Sequence, residues 1–273
     1  MVLMAKLSYI DAHTHIHFPE FDDDRDVTIE RARNAGVGMI TSGTDIILTK
    51  KAIEVAGSND NIWATAGIHP HEAKVISKAM CPSVVQELAE LAKDEKVVGI
   101  GECGIDLFRE DDRKLIDVQK RLFIEQLKLA HNIKKPLIIH SRGSKNGSVN
   151  GLEMILDILE EHSALLCHEA GICHFFTGTK MIADRFIALG FSFTFGGLIT
   201  FNREFDEVIR HIPAEKIMAE TDAPFVAPLS HRGERNEPSY LSETVEWIAR
   251  IRGVNSEDMR KQLLSNTRRV FGI

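Results

Sequence analysis

Short apolar runs rich in Ile, Val, Leu and Phe recur along the chain, and between them apolar residues return every three or four positions. Runs of this length, not strictly alternating, are the pattern of strands buried on both faces of a parallel sheet. They fall over residues 7–12, 38–41, 62–66, 97–101, 137–140, 172–176, 191–195 and 217–220. Helical spacing is clearest in Leu115, Val118, Leu122, Phe123, Leu127 and Ala130, and again in Val84, Leu88, Leu91 and Ala92. Pro82 suits the first turn of the latter helix, where a missing N–H costs nothing. No low-complexity tract, charge block or Pro/Gly-rich linker interrupts the alternation. About eight strand–helix repeats predict an α/β chain folded as one domain over 1–273, a (β/α)₈ TIM barrel with its active site at the C-terminal ends of the strands. An open doubly wound sheet is the alternative, and the lack of Gly-x-Gly-x-x-Gly after the first strand counts against its dinucleotide-binding version. Two polar stretches, 143–151 and 227–236, follow the fifth and eighth strands and are expected as loops on the active face.

Composition adds limits. With 273 residues, 44% of them hydrophobic, the chain builds a core without staples. A net charge of −7 argues against a general electrostatic nucleic-acid binder. It leaves room for an enzyme acting on phosphodiesters, because two bound divalent ions would reverse the local field. The four cysteines, Cys81, Cys103, Cys167 and Cys173, form no Cys-x-x-Cys pair, so neither a zinc ribbon nor a disulfide framework is expected. The segment from Cys167 to His174 fits no common zinc-finger spacing. There is no apolar run of membrane-spanning length, and residues 1–8 are too short and too weakly apolar for a signal peptide. The expectation is a cytoplasmic enzyme with reduced thiols and no obligatory protein partner.

The chemistry concentrates at the predicted strand ends. His13 and His15 close the first strand and, being two apart, face the same way. His69 and His71 follow the third strand, Glu102 ends the fourth, His140 ends the fifth, His174 lies in the sixth and Asp222 follows the eighth. In a parallel barrel these groups gather at one mouth, which supplies enough imidazoles and carboxylates for two divalent cations. Taken singly, Glu102 could pair with a lysine or cap a helix, Asp222 could open a turn, and His140 and His174 could be hydrogen-bonded core residues. Their joint position at corresponding points of successive repeats favours a metal centre. Imidazole ligands suit zinc, and phosphodiester hydrolysis suits magnesium or manganese. Asp11 shares a face with the first two histidines and either orients an imidazole or makes a buried structural bond. His17, His71 and Asp106 stand near the site or serve structure. Arg142, Arg235 and Asn236 are candidates for substrate phosphate, since a guanidinium matches phosphate oxygens bidentately.

At these residues the chain resembles the TatD family of metal-dependent deoxyribonucleases, within the amidohydrolase-like barrels. The likeness runs through Asp11-Ala12-His13-Thr14-His15, Gly67-Ile68-His69-Pro70-His71, Gly101-Glu102-Cys103-Gly104-Ile105-Asp106, Ile139-His140-Ser141-Arg142, His174 with Phe176-Thr177-Gly178, and Glu220-Thr221-Asp222-Ala223-Pro224. The tract from His231 to Pro238 is a further family signature. The resemblance implies that His13, His15 and Asp222 hold one metal, Glu102 bridges, His140 and His174 hold the second, and His69 lies near the scissile phosphate. It implies hydrolysis of DNA phosphodiesters, often at single-stranded 3′ ends. The mechanism expected for such a site is attack by metal-activated water, with Asp222, a ligand with a second oxygen free, as general base. RNA or tRNA is a further possible substrate, since some members are described as D-aminoacyl-tRNA deacylases. Another amidohydrolase-like reaction, or a non-catalytic barrel that binds nucleic acid or a partner, is the remaining alternative. Glu102, where a carboxylated lysine would bridge in other barrels, favours the phosphodiester. The chain departs from the family pattern at His17, usually Asp or Asn, at Leu107-Phe108, often with tyrosine, at Gly143, commonly Asp, and at Phe175, usually Cys.

Overall fold

Eight parallel strands lie side by side in chain order: β1 (Tyr9–Thr14), β2 (Val37–Ser42), β3 (Ile62–Ala66), β4 (Val97–Asp106), β5 (Leu137–Arg142), β6 (Gly171–Cys173), β7 (Phe191–Phe195) and β8 (Ile217–Ala219). They belong to a computed structural model that describes residues 7–108, 113–145, 147 and 149–273. Residues 1–6 of the stretch judged against a signal peptide, and Asn146 and Ser148 of the Gly-rich loop, lie outside the described residues. Between the strands run α1 (Arg25–Asn34), α2 (Ile46–Gly57), α3 (Cys81–Leu91), α4 (Arg113–Ile133), α5 (Gly151–Glu161), α6 (Lys180–Ala188) and α7 (Asp206–His211), followed by α8 (Leu241–Arg252) and α9 (Ser256–Phe271). This sequential order, with β8 beside β1, is a (β/α)₈ barrel and removes the open doubly wound sheet. No helix among the described residues is long and apolar enough to cross a membrane.

The barrel closes without a ladder between β8 and β1 among the described residues. Two backbone bonds bridge the seam, Asp222 N–H to the His13 carbonyl (2.9 Å) and His15 N–H to the Ala223 carbonyl (2.8 Å). Asp11 completes it, accepting from the Thr221 N–H (2.9 Å) and from the Thr221 hydroxyl. Burial pushes the Asp11 carboxyl well up, against these bonds. Of the two roles open to Asp11, the buried structural bond is the one found.

Apolar side chains fill both sides of the sheet. A smaller cluster takes Ile10, Ile40, Val98, Ile138, Ile172 and Met218 from six different strands and closes on Val270 and Phe271 of α9. Side chains drawn from so many strands meet only inside a barrel, so α9 plugs the end opposite the strand C-termini. The larger cluster joins the outer faces of the strands to the helices, with Phe123, Phe186, Phe191 and Phe193 fully buried. Two strands differ from the sequence expectation by more than two residues at one end. β4 runs on to Asp106, so Glu102 is mid-strand, and β6 stops at Cys173, leaving His174 one residue beyond it. The register of β4 against β5 shifts between Ile100 and Cys103, a bulge that re-aims the side chain at its centre. Gly101 supplies the backbone for it, with φ of +139°. A Cβ at Gly67 would also meet the Gly101 carbonyl carbon at 2.1 Å, so β3 and β4 approach this closely only through glycine.

Candidate metal centre

Glu102 stands at the middle of the mouth, nearly buried. Its bulge is pinned by its own N–H, which donates to the Gly43 carbonyl (3.0 Å), and by the Thr65 hydroxyl, which donates to the Gly101 carbonyl (2.5 Å). The two carboxylate oxygens face different partners. Oε2 lies 3.5 Å from His13 Nε2 and 3.4 Å from His15 Nε2. Oε1 lies 2.6 Å from His140 Nδ1, 2.9 Å from His174 Nε2 and 3.5 Å from His69 Nε2.

The first group of donors tests the fit of a cation directly. Ligand atoms around a tetrahedral ion of zinc-like bond length stand about 3.3–3.5 Å apart. His13 Nε2 and His15 Nε2 are 3.2 Å apart, and Asp222 Oδ1 is 3.5 and 3.4 Å from them. With Glu102 Oε2, five of the six edges of such a tetrahedron are accounted for. The tautomers agree as well. His15 Nδ1 donates to the Ser42 carbonyl (2.9 Å), and His13 Nδ1 lies 3.1 Å from the Ser42 hydroxyl. When neutral, His15 therefore presents an unprotonated Nε2. These residues could hold one divalent cation, and Glu102 Oε1, His140 and His174 could contribute to a second. His140 turns Nδ1 to Glu102 and Nε2 to Asp106 Oδ2 (3.2 Å), the carboxylate–imidazole arrangement that orients metal-ligating histidines.

Electrostatics separates the histidines. Burial opposes charge on His15, His140 and His174, but neighbouring carboxylates outweigh it: Asp222 and Glu102 for His15, Asp106 and Glu102 for His140, Glu102 and Glu220 for His174. All three pKa values are raised. Burial lowers His13, and burial with the neighbouring His140 holds His69 well below the usual imidazole range. His69 Nδ1 accepts from the His71 N–H (3.1 Å), so its proton sits on Nε2, which points toward Glu102 Oε1. A neutral His69 is thus a donor rather than a metal ligand. Burial works against charge on Glu102 and Asp106 too, yet the surrounding imidazoles draw both carboxyls far below the usual range.

A cavity of about 680 Å³ opens over these groups, within the usual range for ligand sites. His15, His69, Glu102, His140, His174 and Asp222 line it, and His13 lies buried behind them. Arg142 lines it too, exposed, with its guanidinium 3.7 Å over the Phe108 ring. Arg235 and Asn236, expected to contact phosphate, do not line it, and their side chains are engaged elsewhere. Arg235 pairs with both oxygens of Asp24 (2.8 and 2.7 Å), holding that carboxyl down at about 2, and donates to the Glu20 carbonyl (2.6 Å). Asn236 is fully buried and donates to the Thr221 and Phe225 carbonyls (2.7 Å each). Both side chains tie down the loop after β8, Arg235 to the segment before α1 and Asn236 to the loop's own carbonyls.

Several functional neighbours escaped the sequence reading. Ser42 braces two imidazoles from β2. Glu220 accepts from the Phe175 N–H (2.8 Å) and the Thr194 hydroxyl (2.5 Å), 3.8 Å from His174 Nδ1. Gln126 and Gln119, seven apart on α4, each bond both backbone groups of one residue, Ile68 (2.8 and 3.0 Å) and Asp106 (3.0 and 2.9 Å). A seven-residue interval on one helix face was the available signal. His17 bonds Thr41 Oγ1 through Nδ1 (2.7 Å). Asp222, Phe175 and Val226 have φ of 54°, 47° and 45°, and all three line the cavity. Non-glycine residues in this region carry strain, and such residues concentrate at functional sites.

A parallel barrel with imidazoles and carboxylates converging at the strand C-termini has the build of a metal-dependent hydrolase. A model of the family described as TatD related DNase matches residues 10–272, and the chain belongs to that family. Among its relatives is the "Uncharacterized metal-dependent hydrolase YabD" of Bacillus subtilis, 34% identical over 96% of this chain and 98% of the relative. The "3'-5' ssDNA/RNA exonuclease TatD" of Erwinia amylovora is 32% identical over 96% of this chain and 99% of its own length. The crystal structure of the TatD homologue YJJV from Escherichia coli superposes with a TM-score of 0.87 at 29% identity, covering 98% and 99% of the two chains.

Proposed function

We propose that this metal-dependent hydrolase cleaves phosphodiester bonds of single-stranded nucleic acid, removing nucleotides from the 3′ end with two divalent cations. The observation that carries the reading is Glu102, whose two oxygens face two separate imidazole groups 3.5 Å or less away. The name of the Erwinia amylovora relative supports the substrate and polarity. His13, His15 and Asp222 would hold one cation, His140 and His174 the other, with Glu102 between them. Bound there, the cations would polarise a phosphoryl oxygen and lower the pKa of a water toward neutrality.

The remaining steps belong to side chains. Asp222, at the cavity surface, would accept the proton of the attacking water. His69, neutral and protonated on Nε2, would donate to a phosphoryl oxygen without adding charge to the ligand cluster. Arg142, on the far wall, would hold a phosphate of the strand outside the centre.

The test is digestion of end-labelled oligonucleotides by protein stripped with EDTA and reloaded with magnesium, manganese or zinc. The expected result is stepwise loss from the 3′ end, abolished by the chelator and restored by at least one metal. Cleavage insensitive to chelation, or consumption of a D-aminoacyl-tRNA or a dihydropyrimidine with DNA left intact, would overturn it.

A further inference from the structure

The chain has 14 phenylalanines, and nine are buried. Four of the other five gather at one place. Phe18, Phe175 and Phe225 line the cavity over the metal centre, and Phe108 lies beneath Arg142, which also lines it. Phe201, beneath Arg232, is the fifth. Phe225 is the most open, 45% exposed, although it follows Asp222 by only three residues.

The ring is not a loose surface residue. Its N–H donates to the Asp222 carbonyl (2.8 Å), and its carbonyl accepts from the buried Asn236 amide (2.7 Å). Its ring centre stands 6.4 Å from Phe18, edge to face, and Phe18 lies flat on His15 at 4.4 Å. An apolar wall therefore rises directly beside Asp222 and His15, on a backbone fixed from both sides. Arg142 and Phe108 sit at the ends of β5 and β4, diametrically across the barrel from the β8–β1 seam that carries Phe225 and Phe18.

We propose that the Phe225–Phe18 wall is a nucleobase subsite, on which the base of the 3′-terminal nucleotide stacks while its phosphate lies at the metal centre. This rests on the nuclease reading above. A base has a flat apolar face whatever its identity, so stacking on a fixed phenylalanine holds the terminal nucleotide without reading sequence. The Arg142 wall is exposed and cationic, suited to the following phosphates as the strand leaves. A double-stranded end offers no free terminal base to this wall, so the same feature selects single strands.

The experiment compares two oligonucleotides that differ only at the 3′-terminal residue, one carrying a base and one an abasic tetrahydrofuran. In the metal-loaded wild type, kcat/KM for the first is expected to exceed that for the second about tenfold, through KM. In Phe225→Ala the ratio falls to near one, and in Phe225→Trp it returns. A Phe225→Ala protein that keeps the wild-type ratio, or that loses activity on both substrates in parallel, overturns the subsite. Failure of the wild type to cleave either oligonucleotide overturns the nuclease reading, and the subsite with it.

Discussion

His15 illustrates how little of an imidazole's behaviour lies in the imidazole. Its Nδ1 is committed to the Ser42 carbonyl, its Nε2 faces Glu102 and Asp222, and those carboxylates raise its pKa against burial. His140 and His174 are raised in the same way. A histidine must lose its Nε2 or Nδ1 proton to ligate, so cations and protons compete for these positions. Because the pKa values lie above 6.5, the competition extends from acid into neutral pH. Cation affinity is therefore expected to rise steadily from pH 6 to 8 and level off above the raised imidazole values. Protons should be released on binding, visible as heats that depend on the ionisation enthalpy of the buffer. A dissociation constant unchanged across that range would remove these imidazoles from the ligand set. Ser42 itself gives no signal in the sequence, since a serine in an apolar run looks the same whether or not it braces a histidine.

At the scale of elements, α4 does more than cover the barrel. Its apolar spacing was readable in Leu115, Val118, Leu122, Phe123 and Leu127, but Gln119 and Gln126 read equally well as its solvent side. They are buried, and Gln126 satisfies both backbone groups of Ile68, next to His69. Gln126→Leu would leave that N–H and carbonyl unpaired in the interior, at about 1–3 kcal/mol each. A loss of roughly 2–6 kcal/mol in urea unfolding is expected. A change within about 0.5 kcal/mol, the size of an ordinary surface substitution, would mean that the segment bearing His69 is held by other contacts. β4 runs past the end its sequence pattern predicts for a related reason. Its bulge at Gly101 depends on bonds to β2 and β3, and glycine in a strand marks a bulge or a close approach without saying which.

At the scale of the whole molecule, the site gathers groups from around one end of the barrel. Its donors come from β1 and the residue after it, from β4 and β5, and from just past β6 and β8, and the β8–β1 seam lacks a ladder among the described residues. Cations bound there would add cross-links between β1 and β4, which are not neighbours in the sheet, and would reinforce the few bonds at the β8–β1 seam. Binding to the folded state alone at a hundredfold the dissociation constant adds about 2.7 kcal/mol. For a chain of this size the unfolding midpoint should rise by roughly 5–10 °C on reloading the EDTA-treated protein. An unchanged midpoint under saturating metal would mean that the unfolded chain binds cations equally well, or that the site does not hold them.

Much of this molecule was decided locally. Eight short apolar runs separated by helical periods specify a parallel α/β chain, because strand and helix periods depend only on near neighbours. The residue types available at the strand ends, imidazole and carboxylate, follow from the order of amino acids alone. Tertiary structure decided which of those groups meet. His13 and Asp222 are 209 positions apart and face each other at 3.5 Å. Arg142, Arg235 and Asn236 looked alike as polar residues after strands, yet one lines the cavity and two are consumed in holding a loop. Side-chain chemistry is a property of each residue. The partner that uses it is set by long-range register and by the bulges that aim each strand, and no local pattern records those.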